Sequence, residues 1–363
     1  MIHSPVHNFL GHKGKTVIFI LGSLFNHLAI LILTGINKRV WFLPATMFAV
    51  AVGYGAFCDD GGTIQQLSYL EITISGLLAI YMITYSVGAW LLQKQYGIWF
   101  PILLTLLTTT TFFVSGMAGP YLVTEAVGIQ ELDPRLEGFR ICQLSDIHLG
   151  GALGTNQQIG ERIVRSLAHE SCDLLVITGD LADGDPDDLG SQALPIMTKI
   201  PSTHGVMFVS GNHEELDPQR VLLWEIWMRK YGVRVLSNEM LTLHHQGAPL
   251  EVVGLEDRIG SSEDLEVPEK QASTRILLAH RPGEAILASR YMADLALCGH
   301  THGGQIRPIG DVLMLAEGEP FSAGGMHTSN GIPIYVNPGT WLWGPPLRFM
   351  SHNEITILVL TRK

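Results

Sequence analysis

Three stretches in the first third of the chain, 16–36, 72–92 and 98–119, each run for about 20 residues without a charged side chain. That is the length a helix needs to cross the roughly 30 Å hydrocarbon core of a bilayer. A fourth uncharged run, 41–57, is shorter and contains Pro44. Four such runs exceed what one cleaved signal peptide supplies. They predict a transmembrane region over 1–120 with helices at 16–36, 41–57, 72–92 and 98–119, and hence a multi-pass protein of the cell (inner) membrane. The Thr108–Thr111 run is expected to bond its hydroxyls to backbone carbonyls four residues back. No pair of intramembrane charges suggests a transport path.

With four spans, Lys38, Arg39 and Lys94 share one face of the membrane, while Lys13, Lys15, Arg135 and Arg140 share the other. The tight Lys38-Arg39 turn opposes a loop with Asp59, Asp60 and Glu71 but no base. The positive-inside rule then puts everything after the last span on the non-cytoplasmic side. Of 23 basic and 34 acidic residues, 17 and 28 lie beyond residue 135, so the whole net charge of −11 sits there. Such an acidic half argues against a nucleic-acid partner, which needs Lys and Arg against its phosphates.

After a mixed, partly acidic linker at 121–137, the texture changes. From 138 to 363, short apolar runs end in polar turns, with helix-period segments between them, the pattern of an α/β domain. Strands are expected at Phe139–Leu144, Asp173–Thr178, Val206–Ser210, Leu250–Leu255, Arg275–Ala279, Asp294–Cys298, Pro333–Asn337 and Glu354–Thr361, and helices at 156–170 and about 217–231. Cys142, Cys172 and Cys298 fall in or beside these runs with no CxxC pair, and read as free buried thiols rather than metal ligands.

Asp146, His148, Asp180, Asn212, His280, His300 and His302 all stand where an expected strand ends. Loops beyond the carboxyl ends of strands form the functional crevice of open α/β sheets, so the seven can converge. Taken singly, Asp146, Gly179-Asp180 and Asn212 read as turns or caps, and His280 as a core imidazole. Together they are a hard-to-borderline set suited to Mn²⁺, Fe or Zn²⁺, and too many for one four-coordinate ion. They suit two divalent metal ions sharing a carboxylate.

These clusters stand as Asp146-Ile147-His148, Gly179 to Asp183, Gly211 to Glu214, an isolated His280, and Gly299 to His302. The order resembles the five motifs of the calcineurin-like metallophosphoesterase family, and Gly299 to Gln305 is similar to its membrane-anchored branch. The resemblance implies an α/β/β/α four-layer sandwich of two mixed sheets. It implies that Asp146, His148 and His302 hold one metal, that Asn212, His280 and His300 hold the other, and that Asp180 bridges them. It places His213 as the imidazole that protonates the leaving oxygen, and Asp183 behind a ligand or His213. The implied activity is hydrolysis of a phosphate ester, diester or pyrophosphate.

Arg281, Arg258 and Arg307 are the bases nearest the motifs, and each is a candidate for phosphate contact or an ordinary surface charge. Trp341 and Trp343, in a Gly/Pro-rich segment, suggest an apolar rim at the crevice, a dip into the bilayer interface, or plain loop packing. Tethering favours a lipid-linked phosphorylated substrate at the bilayer surface. The rival reading is a membrane sensor or transporter-like protein whose domain is only a regulatory or interaction module.

Overall fold

A computed structural model describes residues 99–151, 156–215, 218–257, 266–272 and 274–363. These fall into two compact units, one ending at Val114 and taking Gly344–Leu347, the other comprising Ser115–Trp343 and Arg348–Lys363. The expected spans at 16–36, 41–57 and 72–92 lie outside the described residues. The fourth forms helix α1 (Trp99–Met117). Thr108 and Thr111 each bond the carbonyl four residues back, as expected, at 2.8 Å. Among the described residues, no helix is long and apolar enough to cross a membrane.

The second unit holds two six-stranded mixed sheets. The first contains β1 (Tyr121–Ile129), β2 (Arg140–Leu144), β3 (Leu174–Thr178), β4 (Val206–Val209), β5 (Arg234–Val235) and β12 (Glu354–Arg362), in the order β1-β12-β2-β3-β4-β5. Only the β12–β2 pair is antiparallel. The second contains β6 (Glu239–His245), β7 (Ala248–Gly254), β8 (Thr274–Leu278), β9 (Leu295–Cys298), β10 (Gly325–Ser329) and β11 (Ile332–Val336), in the order β10-β11-β9-β8-β7-β6. Here β7, β8, β9 and β11 run parallel and the two edge strands antiparallel.

Strand alternation divides the apolar side chains among three cores. In β3, Leu174 and Val176 face the other sheet while Leu175 and Ile177 face helices α2 (Asn156–Leu167), α3 (Pro186–Lys199) and α4 (Pro218–Lys230). In β9, Leu295 and Leu297 join the core between the sheets, and Ala296 and Cys298 pack toward α5 (Pro282–Ala285) and Tyr291. Parallel strands covered on both faces give the continuous apolar runs seen in the sequence. Their carboxyl ends supply the turns of the site.

Two expectations are corrected. Residues 121–137 are not a free linker: 121–129 form edge strand β1, paired along its length with β12. Thr124 and Glu125 sit at exposed positions of that edge, and they disguise the strand. Cys142 and Cys172 are not free thiols but a disulfide with Cα atoms 5.7 Å apart. Cys142 lies on β2, and Cys172 just ahead of its parallel neighbour β3, so adjacency in the sheet brings together residues 30 apart in sequence. Cys298 is buried and free. Replacing Cys142 and Cys172 by alanine should destabilise the domain by about 2–4 kcal/mol. Urea unfolding midpoints with and without reductant would show this, and identical midpoints would contradict it.

Candidate metal centre

Asp146 follows β2, Asp180 follows β3, Asn212 follows β4, His280 follows β8 and His300 follows β9, so parallel pairing carries these residues to one end of the domain. Three groups result, Asp146/His148/His302, His148/Asp180/His213 and Asp180/His280/His300, in each of which one ligand atom per residue lies within 4.8 Å of the others. Asp180 stands between them: Oδ2 is 3.7 Å from His148 Nε2 and 3.3 Å from His280 Nε2. Asn212 joins through Oδ1, 3.1 Å from His280 Nε2.

The donor set fits divalent cations. His280 Nδ1 donates to the Thr178 carbonyl at 2.8 Å, and His148 Nδ1 meets Asp183 Oδ1 at 3.0 Å, which turns each Nε2 toward the centre. His148 Nε2 faces His302 Nε2 at 3.1 Å, a meeting of two ligand-type nitrogens. Asp146, His148, Asp180, His300 and His302 all have left-handed φ, between 48° and 71°. For non-glycine residues this conformation is sparsely populated, and such strain clusters at functional sites. Gly299 and Gly211 permit close approach: a Cβ would lie 2.3 Å from Asp146 Oδ2 at Gly299 and 2.2 Å from Asp180 Oδ1 at Gly211.

Electrostatics sorts the donors. Burial raises Asp180, but His280, His213 and His148 outweigh it and hold the carboxyl well below the usual range. Burial raises Asp146, only partly offset by His280. Burial pushes His300 down to about 3 and, with His148 and Arg348, holds His302 well below the ordinary imidazole value, so both present neutral rings. For His280, Asp180 and Asp146 overcome burial and raise it well above that value. A metal ligating His280 must displace its proton. Affinity for Mn²⁺ should therefore rise as pH is raised from about 6 to about 8, with proton release visible by calorimetry. A flat profile would contradict this.

His213 stands beside Asp180, its backbone N–H donating to Oδ1 at 2.9 Å. Its Nδ1 lies 2.5 Å from Asp183 Oδ1. Burial would lower His213, but Asp180 and Asp183 outweigh it and raise it to about 9. Asp183 thus serves both His148 and His213. Asp183→Ala should cost about 10–100-fold in activity or metal affinity; an unchanged kcat/KM and metal dissociation constant would contradict that role.

The remaining expected residues divide. Trp343 stacks edge-on to His213, with ring centroids 5.8 Å apart, and forms part of the wall. Trp341 does not belong to a rim: it is buried in the core against the helix layer, with the Arg162 guanidinium 5.4 Å above its ring. Arg281 donates to Asp257 at 2.8 Å and lies 2.8 Å from His300 Nε2, and Arg307 donates to both oxygens of Asp311. Both guanidinium groups are engaged with carboxylates, Arg281 beside the centre. Arg258 lies outside the described residues.

Three supporting residues escaped the sequence reading. Glu214, the last residue of the Gly211–Glu214 motif, accepts the backbone N–H groups of Gly211, Asp180 and Ala182 at 2.8–3.1 Å and so braces the Asp180 turn. Glu317, whose Oε2 is 3.5 Å from His300 Nε2, had no signal at all. Buried Arg348 donates to the carbonyls of His302 and Trp341 at 2.8 and 2.9 Å, and the sequence gives it no signal either.

Comparison with known proteins agrees with this geometry. The calcineurin-like phosphoesterase family matches residues 139–304. The chain is 33% identical over 280 residues to a transmembrane protein with metallophosphoesterase domain of Bos taurus, covering 71% of this chain and 62% of that one. It is 31% identical over 270 residues to an uncharacterized metallophosphoesterase of Campylobacter jejuni, covering 72% and 70%. With the YkuE metallophosphoesterase of Bacillus subtilis it shares 32% over 231 residues, covering 62% and 79%. The chain thus spans less than two thirds of the bovine relative. Strand order, ligand geometry and these likenesses together show that the chain belongs to the calcineurin-like metallophosphoesterases, a family of metal-dependent phosphoric ester hydrolases.

Proposed function

We propose that the protein hydrolyses a phosphate ester, diester or pyrophosphate at a dinuclear metal centre, acts at a membrane, and takes a lipid-linked substrate. The observation that carries the hydrolytic reading is the sharing of Asp180 and His148 among the three ligand groups. Asp146, His148 and His302 would hold one ion and Asn212, His280 and His300 the other, with the Asp180 carboxylate available to both. When bound, two such ions neutralise charge on the phosphate and supply hydroxide at neutral pH.

The chain's own groups do the rest. Asp183 fixes the His213 ring through Nδ1, which leaves Nε2 to deliver a proton to the leaving oxygen. Glu214 holds the Asp180 turn rigid, and Trp343 shields one side of His213 from water. Neutral His and Asn ligands keep the loaded centre cationic, as a phosphate substrate requires.

Membrane association is supported by the uncharged runs ahead of residue 98 and by the name of the bovine relative. The Cys142–Cys172 disulfide supports the non-cytoplasmic side, since such bonds persist in oxidising compartments. A reporter fused at the carboxyl terminus tests sidedness. For the chemistry, the whole protein with Mn²⁺ should hydrolyse bis(p-nitrophenyl) phosphate and lose this activity to a chelator. No turnover above background with Mn²⁺, Fe²⁺ or Zn²⁺ would overturn the reading.

A further inference from the structure

Helix α6 (Ile309–Glu317) follows the Gly299–Gln305 turn and inverts the usual placement of apolar residues. None of its residues is buried, while Ile309, Val312, Leu313 and Leu315 are exposed by 54%, 64%, 56% and 74%. Ile309, Val312 and Leu313 recur at i, i+3 and i+4 and so form one stripe. The lone charge before Glu317 is Asp311, which accepts from Arg307 Nε at 2.9 Å and Ser322 Oγ at 2.7 Å. Two positions on from Ile309, it lies on the face opposite the stripe.

This helix is built onto the metal centre. Gly310 seats its first turn: the N–H donates to the Ile306 carbonyl at 3.0 Å, and a Cβ would lie 1.7 Å from the Gly304 carbonyl oxygen. Its last residue, Glu317, reaches His300. The same turn carries further exposed apolar groups. Arg307 N–H donates to the Phe349 carbonyl, Phe349 N–H to the Gln305 carbonyl, and Gln305 Nε2 to the Trp343 carbonyl. Met350, the residue after Phe349, is 70% exposed, and Trp343 is 41% exposed.

We propose that α6, with Trp343 and Met350, is the surface by which the domain rests on a lipid bilayer, so that the metal centre opens at the headgroup layer and takes an amphiphilic phosphoester from it. The proposal rests on the hydrolase reading above and deepens it by naming the surface through which that site reaches its substrate. The chemistry of the stripe selects its occupant. A protein partner brings about one hydrogen bond per 100–200 Å² of interface, and the stripe of Ile309, Val312 and Leu313 offers none, whereas hydrocarbon asks for none. Trp343 at the margin suits the interfacial layer. The uncharged runs at 16–36 and 72–92 bring the same chain to a bilayer. With the chain's net charge at −11, contact through α6 is apolar rather than electrostatic and persists at high salt.

The test uses the full chain in phosphatidylcholine vesicles, in a Cys58→Ser background, with an environment-sensitive fluorophore on Leu313→Cys. A second label on Gln246→Cys marks the β6–β7 turn, at the end of the second sheet opposite the metal centre. The proposal expects a blue-shifted label at position 313, quenched by roughly half or more by brominated acyl chains as for a group buried about 5–10 Å deep, and a water-exposed label at 246. Iodide quenching at both positions, or a shielded label at 313 that brominated lipid does not quench, overturns it; the latter assigns the surface to a protein. Hydrolysis of bis(p-nitrophenyl) phosphate is followed on the same vesicles. Turnover with a water-exposed 313 label removes only the docking surface, whereas a lipid-buried label without turnover removes only the hydrolase.

Discussion

Asp180→Asn should reduce phosphoester hydrolysis by on the order of a thousandfold, about 4 kcal/mol in the barrier, while the protein remains folded. Asp180 is the buried carboxylate that touches both halves of the centre, through His148 at 3.7 Å and His280 at 3.3 Å. Asparagine keeps the volume and can still accept the His213 N–H that Asp180 Oδ1 receives at 2.9 Å. In the proposed dinuclear centre it would remove the anion that offsets repulsion between two adjacent cations, so metal content should fall with activity. Alanine at the same position would also strip the turn of its hydrogen bond and confound loss of chemistry with loss of structure. Activity within about tenfold of the parent at saturating Mn²⁺ would show that Asp180 is not shared between two ions.

Arg348→Met should cost about 3 kcal/mol of stability, or roughly 6–12 °C in Tm for a domain of this size. The guanidinium is fully buried and donates to Asn353 Oδ1, the His302 carbonyl, Ser351 Oγ and the Trp341 carbonyl, all at 2.7–2.9 Å. Its partners are neutral oxygens, so geometry rather than an ion pair keeps it in place. Methionine fills the space of the stem but leaves the Trp341 carbonyl and Asn353 Oδ1 without their donor. Asn353 Nδ2 in turn donates to the carbonyls of Gly116 and Ala118, so Arg348 connects the His302 turn to the end of α1. The substitution should therefore also weaken metal binding at Asp146, His148 and His302. Unchanged thermal unfolding would contradict the role of Arg348.

The strands were legible because both faces of their parallel core are covered, which writes Leu174–Thr178 and Leu295–Cys298 as unbroken apolar runs. The candidate ligand positions that the structure brings together were legible because polar residues at the ends of such runs have few other reasons to be there. What escaped was set by tertiary structure. The Cys142–Cys172 bond depends on β2 and β3 being neighbours, which spacing does not reveal. Strand β1 sits at a sheet edge, where Thr124 and Glu125 face solvent and hide the apolar pattern. Trp341 and Trp343 read alike, yet strand-end geometry sends one into the core and the other to His213. Arg348 carried no signal in the sequence, and only a ring of backbone carbonyls shows it to be internal. Helix α6 was not anticipated from the sequence, and its exposure can be learned only from what surrounds it.

The most direct measurement of the central claim is anomalous diffraction from Mn²⁺-loaded crystals of the whole protein. Two peaks roughly 3.5–4 Å apart, one beside Asp146, His148 and His302 and the other beside Asn212, His280 and His300, with Asp180 between them, are expected. A single peak that Asp180 does not touch, or no peak at these residues at saturating metal, would contradict the account.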